Sequence, residues 1–184
     1  MSKGFTLVEL IVVSALVSIL LAIASPSVAA LIGDNRLSRA HNELLTHLRT
    51  ARQTAVYHQT STVVCATGGT PDCDKTDQWE LGWMTFTDPN GDEQCRDSDL
   101  DGRCDDDGGR IIRVAESLPP GIRLRKTRTS IAYLRFDAAG AAGGINARFF
   151  VCDGRGEPYA KSLVISATGR VRTTRDADDY LRCA

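Results

Sequence analysis

The chain has almost no net charge: 22 Lys and Arg stand against 23 Asp and Glu, a formal value of −1. Taken as a total, that argues against a polyanionic partner such as nucleic acid. No internal repeat is visible, and no nucleophile–base constellation or phosphate-binding glycine loop can be read, which disfavours an enzyme. Cysteine is missing from the first third of the chain, and the six present, at 65, 73, 95, 104, 152 and 183, form no Cys-x-x-Cys pair. Only three histidines occur, none beside a cysteine. Disulfides in an oxidising compartment therefore suit the cysteines better than zinc. A hydrophobic content of 42% with 24% charged residues is ordinary for a folded protein. It excludes a wholly disordered chain, a collagen-like repeat and a multi-span membrane protein.

The small total charge conceals a partition. Residues 1–69 hold 5 basic and 3 acidic residues, residues 70–109 hold 3 and 13, and residues 110–184 hold 14 and 7. An acidic insert of −10 is thus set against a C-terminal segment of +7. A basic surface remains permissible once the charges are separated in space.

From Phe5 to Ala24 the chain reads FTLVELIVVSALVSILLAIA, with Glu9 as its one charge. At about 1.5 Å per residue, such a helix spans the roughly 30 Å hydrocarbon core of a bilayer. Lys3 precedes it and the next charge is Asp34, so the positive-inside rule predicts a cytoplasmic N-terminus and an exported remainder. The stretch is too long for a cleaved secretory signal. A carboxylate in such a segment is costly and marks a functional candidate, the alternative being a residue that simply reaches interfacial water.

The string Lys3-Gly4-Phe5-Thr6-Leu7-Val8-Glu9-Leu10 resembles the prepilin signature of type IV pilins and type II secretion pseudopilins. The resemblance implies cleavage after Gly4 by a prepilin peptidase and N-methylation of Phe5. It also implies that Glu9 neutralises the amino group at Phe5 of a neighbouring pilin or pseudopilin subunit during assembly. Pro26 matches a proline common in this helix, where a missing hydrogen bond produces a kink. Leader 1–4, transmembrane half 5–25 and a helical continuation 26–60 are the segments expected, followed by a globular β domain, 61–184.

Leu37, Leu44, Leu48, Ala51 and Ala55 recur at helical spacing and predict one buried stripe, with the helix ending near 57–60. Arg36, Arg39, Glu43, Arg49 and Arg52 read as the solvated face, and His41, His47 and His58 as helix-surface histidines. Ser61–Ala66 is a short β-branched run. The segments 80–87, 110–115, 122–126, 130–137, 147–152 and 161–166 read as further strands, and Arg170–Thr174 pairs with 161–166 across a turn at Ala167-Thr168-Gly169. The fold class expected is α+β, with the long helix packed on two antiparallel sheets or a β-sandwich. Gly140–Gly144 reads as a mobile loop.

Residues 88–109, DPNGDEQCRDSDLDGRCDDDGG, have too little apolar content to order themselves unaided. Asp97, Asp99 and Asp101 before Gly102 resemble the opening of a calcium loop, although Gly108 stands where a bidentate Glu belongs and Asp105, Asp106 or Asp107 would have to substitute. A solvated acidic loop without metal is the equal alternative.

Trp79-Glu-Leu-Gly-Trp83-x-x-Phe86-x-Asp88, then Arg110-Ile-Ile-Arg113, is similar to the GspH/FimT group of H-type pseudopilins and FimT minor pilins. Within it, Gly169-Arg170-Val171-Arg172 looks like the Gly-Arg-x-Arg element of FimT-type minor pilins, which implies binding of double-stranded DNA during uptake. In a strand, Arg170 and Arg172 share a face about 6.5–7 Å apart, a separation comparable with successive phosphates. Thr168, Thr174 and Lys161 are candidate neighbouring donors, and Arg123, Arg125, Lys126 and Arg128 form a second basic stretch. Without a recognition helix or stacking platform, binding would be non-specific and salt-dependent. A solvated hairpin whose arginines protect a sheet edge is the competing reading. An H-type pseudopilin of a secretion system is the alternative function. Cys152 and Cys183 flank the hairpin and are expected to pair. Cys65–Cys73 and Cys95–Cys104 are the simplest remaining pairs among the fifteen connectivities that six cysteines allow.

Overall fold

The computed structural model describes residues 4, 6–70, 72–73, 76–105, 108–127, 132–174 and 183, leaving aside the side chains of 24–26. The chain divides into two compact units, Met1–Asn35 and Arg36–Ala184. One helix, α1, covers Leu7–His58. Thr6 caps it: its hydroxyl accepts the Glu9 N–H at 3.2 Å, and its carbonyl accepts that of Leu10.

In the first unit α1 exposes Leu7, Val8, Leu10, Ile11 and the apolar residues that follow through Ile32. Ser14 and Ser18 donate their hydroxyls to carbonyls one turn back, which leaves this stretch without unsatisfied polar side chains at those points. It is long and apolar enough to cross a membrane.

In the second unit the helical stripe is buried as its spacing predicts: Leu37, Ala40, Leu44, Leu48, Ala51 and Ala55 are all at most 2% exposed. Two expectations change. His41 and His47 are buried rather than on the surface, because each lies three residues from Leu44 and so borders its face. Arg52 is half-buried and donates to the carbonyls of Gly140 (3.0 Å) and Thr168 (3.4 Å), not to solvent alone.

Among the described residues, eight strands form two four-stranded antiparallel sheets. The first has the order β3-β2-β1-β5, from β1 (Ser61–Ala66), β2 (Trp83–Asp88), β3 (Ile111–Ala115) and β5 (Tyr133–Phe136). The second has the order β4-β6-β7-β8, from β4 (Arg123–Lys126), β6 (Ala147–Cys152), β7 (Lys161–Ile165) and β8 (Val171–Thr174). The start of the segment expected as the second strand is instead a single 3-10 turn, Trp79–Leu81. Gly82 follows with φ +122°, where a Cβ would meet the Ala115 carbonyl at 2.7 Å, and β2 begins only after it.

One core joins the helix to the inner faces of both sheets. Val64, Trp83, Leu134 and Phe136 come from the first sheet, and Leu124, Phe149, Val151, Leu163 and Ile165 from the second. Trp79 packs edge-on to Phe149. A smaller cluster forms on the outer face of the first sheet from Val63, Cys65, Met84 and Phe86 with Cys73, Cys95 and Cys104.

Candidate functional site

At the N-terminus, Gly4 and Glu9 are exposed, and Glu9 sits in the first turn of α1. Lys3 and the methylation candidate Phe5 lie outside the described residues.

The acidic insert is ordered in three ways. Disulfides Cys65–Cys73 and Cys95–Cys104 are formed, and their four cysteines sit in the outer cluster of the first sheet. Carboxylates then accept the backbone N–H groups of their own turns. Asp88 takes those of Gly91 and Glu93, Asp97 those of Asp101 and Gly102, and Asp99 shares that of Asp101. Finally, Glu93 reaches back to Arg135 on β5 at 3.5 Å, and its hydrogen bond raises the Tyr133 phenol above its ordinary pKa. Of the three expected calcium ligands, the structure gathers two: Asp97 and Asp99 converge with Asp105, while Asp101 turns to accept the Arg103 N–H. Asp106 and Asp107 lie outside the described residues.

The Gly169–Arg172 element is a turn leading into an edge strand. The Gly169 N–H donates to the Ser166 carbonyl (2.8 Å) and the Ser166 N–H to the Arg170 carbonyl (3.1 Å), closing the β7–β8 hairpin. Gly169 has φ +74°, and a Cβ there would run into the Gly140 carbonyl. Residues 137–142, which include the start of the Gly140–Gly144 segment expected to be mobile, therefore dock on the hairpin. The Asp137 carboxylate holds the Ala139 and Ala141 N–H groups, and Ala142, fully buried, donates to the Ala167 carbonyl. Arg52 joins the two turns from the helix side.

The β7–β8 register sets the direction of each side chain. Val171 stands opposite Ile165 and Thr173 opposite Leu163, so both point inward; Val171 packs on the core and Thr173 approaches His41 at 3.4 Å. Arg172 stands opposite Val164 and faces outward, and Arg170 and Arg172 are both exposed. Among the described residues neither makes an ion pair. Together they line an open depression of about 650 Å³, with Arg148, Val164, Ser166 and Thr168 among its other walls.

Lys161 does not join them. It alternates with Leu163 and Ile165 on the inner face, and its ammonium donates to the Ser38 hydroxyl on α1 at 2.7 Å. Arg123 and Arg125 do face outward on β4, Arg125 opposite Phe150, whereas Lys126 lies on the other side, where burial pulls its ammonium below its ordinary pKa beside Asp77. Arg128 lies outside the described residues. Cys152 and Cys183 are bonded on this outer face and cluster with Phe150 and Ala160. Arg148, which the sequence pattern does not single out, lines the same depression. Its alternation with Phe149 in β6 marks it as outward, but only the register of β6, β7 and β8 puts it beside Arg172.

The model of the GspH family, described as type II transport protein GspH, matches residues 40–169. The chain belongs to the GspH family. A second model, the prokaryotic N-terminal methylation motif, matches residues 1–25. An apolar helix behind that motif is the arrangement of a membrane-anchored pilin. No curated protein matches this GspH-family chain in sequence. In fold it is similar to the type IV minor pilin FimU of Pseudomonas aeruginosa, with 20% identity, 76% of this chain and 89% of that one covered, and a TM-score of 0.54. It is also similar to the minor pseudopilin EpsH from the type 2 secretion system of Vibrio cholerae, with 8% identity, 76% and 96% covered, and a TM-score of 0.51. The long helix, two antiparallel sheets and shared core are thus a pilin-like fold.

Proposed function

We propose that this GspH-family chain is a minor type IV pilin that binds double-stranded DNA non-specifically during uptake. Arg170 and Arg172 carry the contact. The observation behind this reading is that both open into one depression on the outer face of the second sheet, whose strands turn Arg123, Arg125, Arg148 and Arg172 outward and no acidic residue. Guanidinium groups at strand spacing bind phosphates without reading bases, so affinity falls steeply with salt. In this reading the chain is cleaved after Gly4 by a prepilin peptidase and methylated at Phe5. It is held in the inner membrane with its N-terminus cytoplasmic and its second unit periplasmic. Glu9 then meets the amino group of a neighbouring subunit as the filament grows.

The test is a mobility shift of a short duplex by the full chain in neutral detergent, across a salt series. The double substitution Arg170→Ala with Arg172→Ala is expected to weaken binding by ten-fold or more at about 0.1 M salt. Unchanged affinity would remove the DNA assignment. The family description favours a second reading, an H-type pseudopilin of a type II secretion system that contacts protein only; it predicts no salt-dependent shift at all.

A further inference from the structure

We infer that Arg148 is a third phosphate contact of the same surface, an assignment that rests on the DNA reading above. Three observations carry it. The first is register: Arg148 of β6 and Arg172 of β8 stand opposite Val164 from its two sides, so all three point outward in one row across the sheet. Two strand spacings put the bases of Arg148 and Arg172 about 9.5–10 Å apart. The second is the depression itself, which Arg148, Arg170 and Arg172 share, with apolar Val164 between the two outer rows of charge. The third is bracing: the Arg148 guanidinium lies 5.9 Å from the centre of the Phe150 ring, a cation–π distance that limits its rotamers before any ligand arrives.

These distances give the site a shape. Arg170 and Arg172 lie along the strand at about the spacing of neighbouring phosphates, and Arg148 lies to one side at a longer separation. A single row of phosphates engages the first two. A backbone that follows the concave surface brings a further phosphate to Arg148. The site is therefore a three-point cradle rather than a two-residue motif, and its third point comes from a strand outside the hairpin.

Counterion release makes this measurable. Each duplex phosphate neutralised contributes about 0.9 to the slope of log affinity against log salt, equivalent to roughly eightfold in affinity at 0.1 M salt. Binding of the full chain in neutral detergent to a fluorescent 30-base-pair duplex, followed by anisotropy from 50 to 300 mM NaCl, reads that slope. Arg148→Ala is expected to lower it by about 0.9, and Arg148→Lys, which keeps the charge, to preserve it. Arg49→Ala, an exposed arginine on the helix, is expected to leave the slope as in the parent. Retention of the slope in Arg148→Lys excludes a folding defect at this position. If Arg148→Ala matches Arg49→Ala while the Arg170→Ala, Arg172→Ala pair lowers the slope, the third contact is refuted and the DNA reading stands. If the pair also leaves the slope unchanged, both fall together.

Discussion

On the outer face of the first sheet, Val63, Met84 and Phe86 are fully buried beneath the acidic insert and its two disulfides. On the outer face of the second sheet, Arg123 and Arg172 are exposed and Arg148 is half-buried, and the described residues form only a small cluster around Phe150 and the Cys152–Cys183 bond. The sheets have the same strand number and the same antiparallel pairing, and both pack on one helix. What separates them is the use of the second face. The first sheet spends it on a satellite core, and its outward arginine, Arg135, is paired to Glu93 of the insert. Among the described residues, the charged strand residues that the second sheet turns to this face are all arginines. The near-neutral chain is thus two surfaces of opposite sign held apart by a shared interior.

The contrast can be broken most directly through its buried aromatics. Phe86→Ala is expected to destabilise by about 3–5 kcal/mol, because the outer cluster of the first sheet cannot collapse around disulfide-fixed neighbours. Phe150→Ala should cost about half as much, since fewer groups surround it. Urea unfolding midpoints check both, and equal losses would mean that the second face is as well packed as the first.

A smaller effect distinguishes the two helix histidines. His47 faces the first sheet, donating to or accepting from the Thr85 hydroxyl at 2.8 Å, and burial, with Arg113 adding, pushes its pKa down to about 4. The unfolded chain takes up this proton near pH 6.5 and the folded chain only near 4, so stability is complete above about 6.5 and is lost as pH falls through that window. The loss approaches roughly 3 kcal/mol at its lower end. Comparing unfolding midpoints of the parent and His47→Gln between pH 7 and 4 isolates it; parallel curves would show that His47 titrates alike in both states.

The smallest effect concerns the hairpin of the second sheet. Gly169→Ala puts a Cβ against the Gly140 carbonyl at a positive φ, at a cost of about 1–3 kcal/mol. It should also weaken duplex binding, because relief of the clash moves Arg170 from the depression. Unchanged melting temperature together with unchanged binding would show that the turn need not dock on the 137–142 loop.

Much of this architecture is legible without coordinates. The Leu37–Ala55 stripe, the β-branched runs and the length of the apolar N-terminal stretch follow from side-chain period and bilayer thickness, which are local properties. The Cys152–Cys183 bond joins the two cysteines that flank the hairpin, and the other two bonds are the simplest pairs that remain, although spacing alone leaves fifteen connectivities open. The pairing of Arg170 with Arg172 needs only strand alternation. Lys161 and Arg148 show where local pattern stops being sufficient. Both are cationic residues in predicted strands, and which face each presents to the outside depends on the side from which the helix covers the sheet. The same holds for His41, His47 and Arg52, whose burial depends on what the helix meets. Side-chain period and composition specify the elements, the membrane-length helix and the segregation of charge along the chain. Which charges share a surface is set by the packed fold, because strand register and helix docking bring together residues that no local spacing relates.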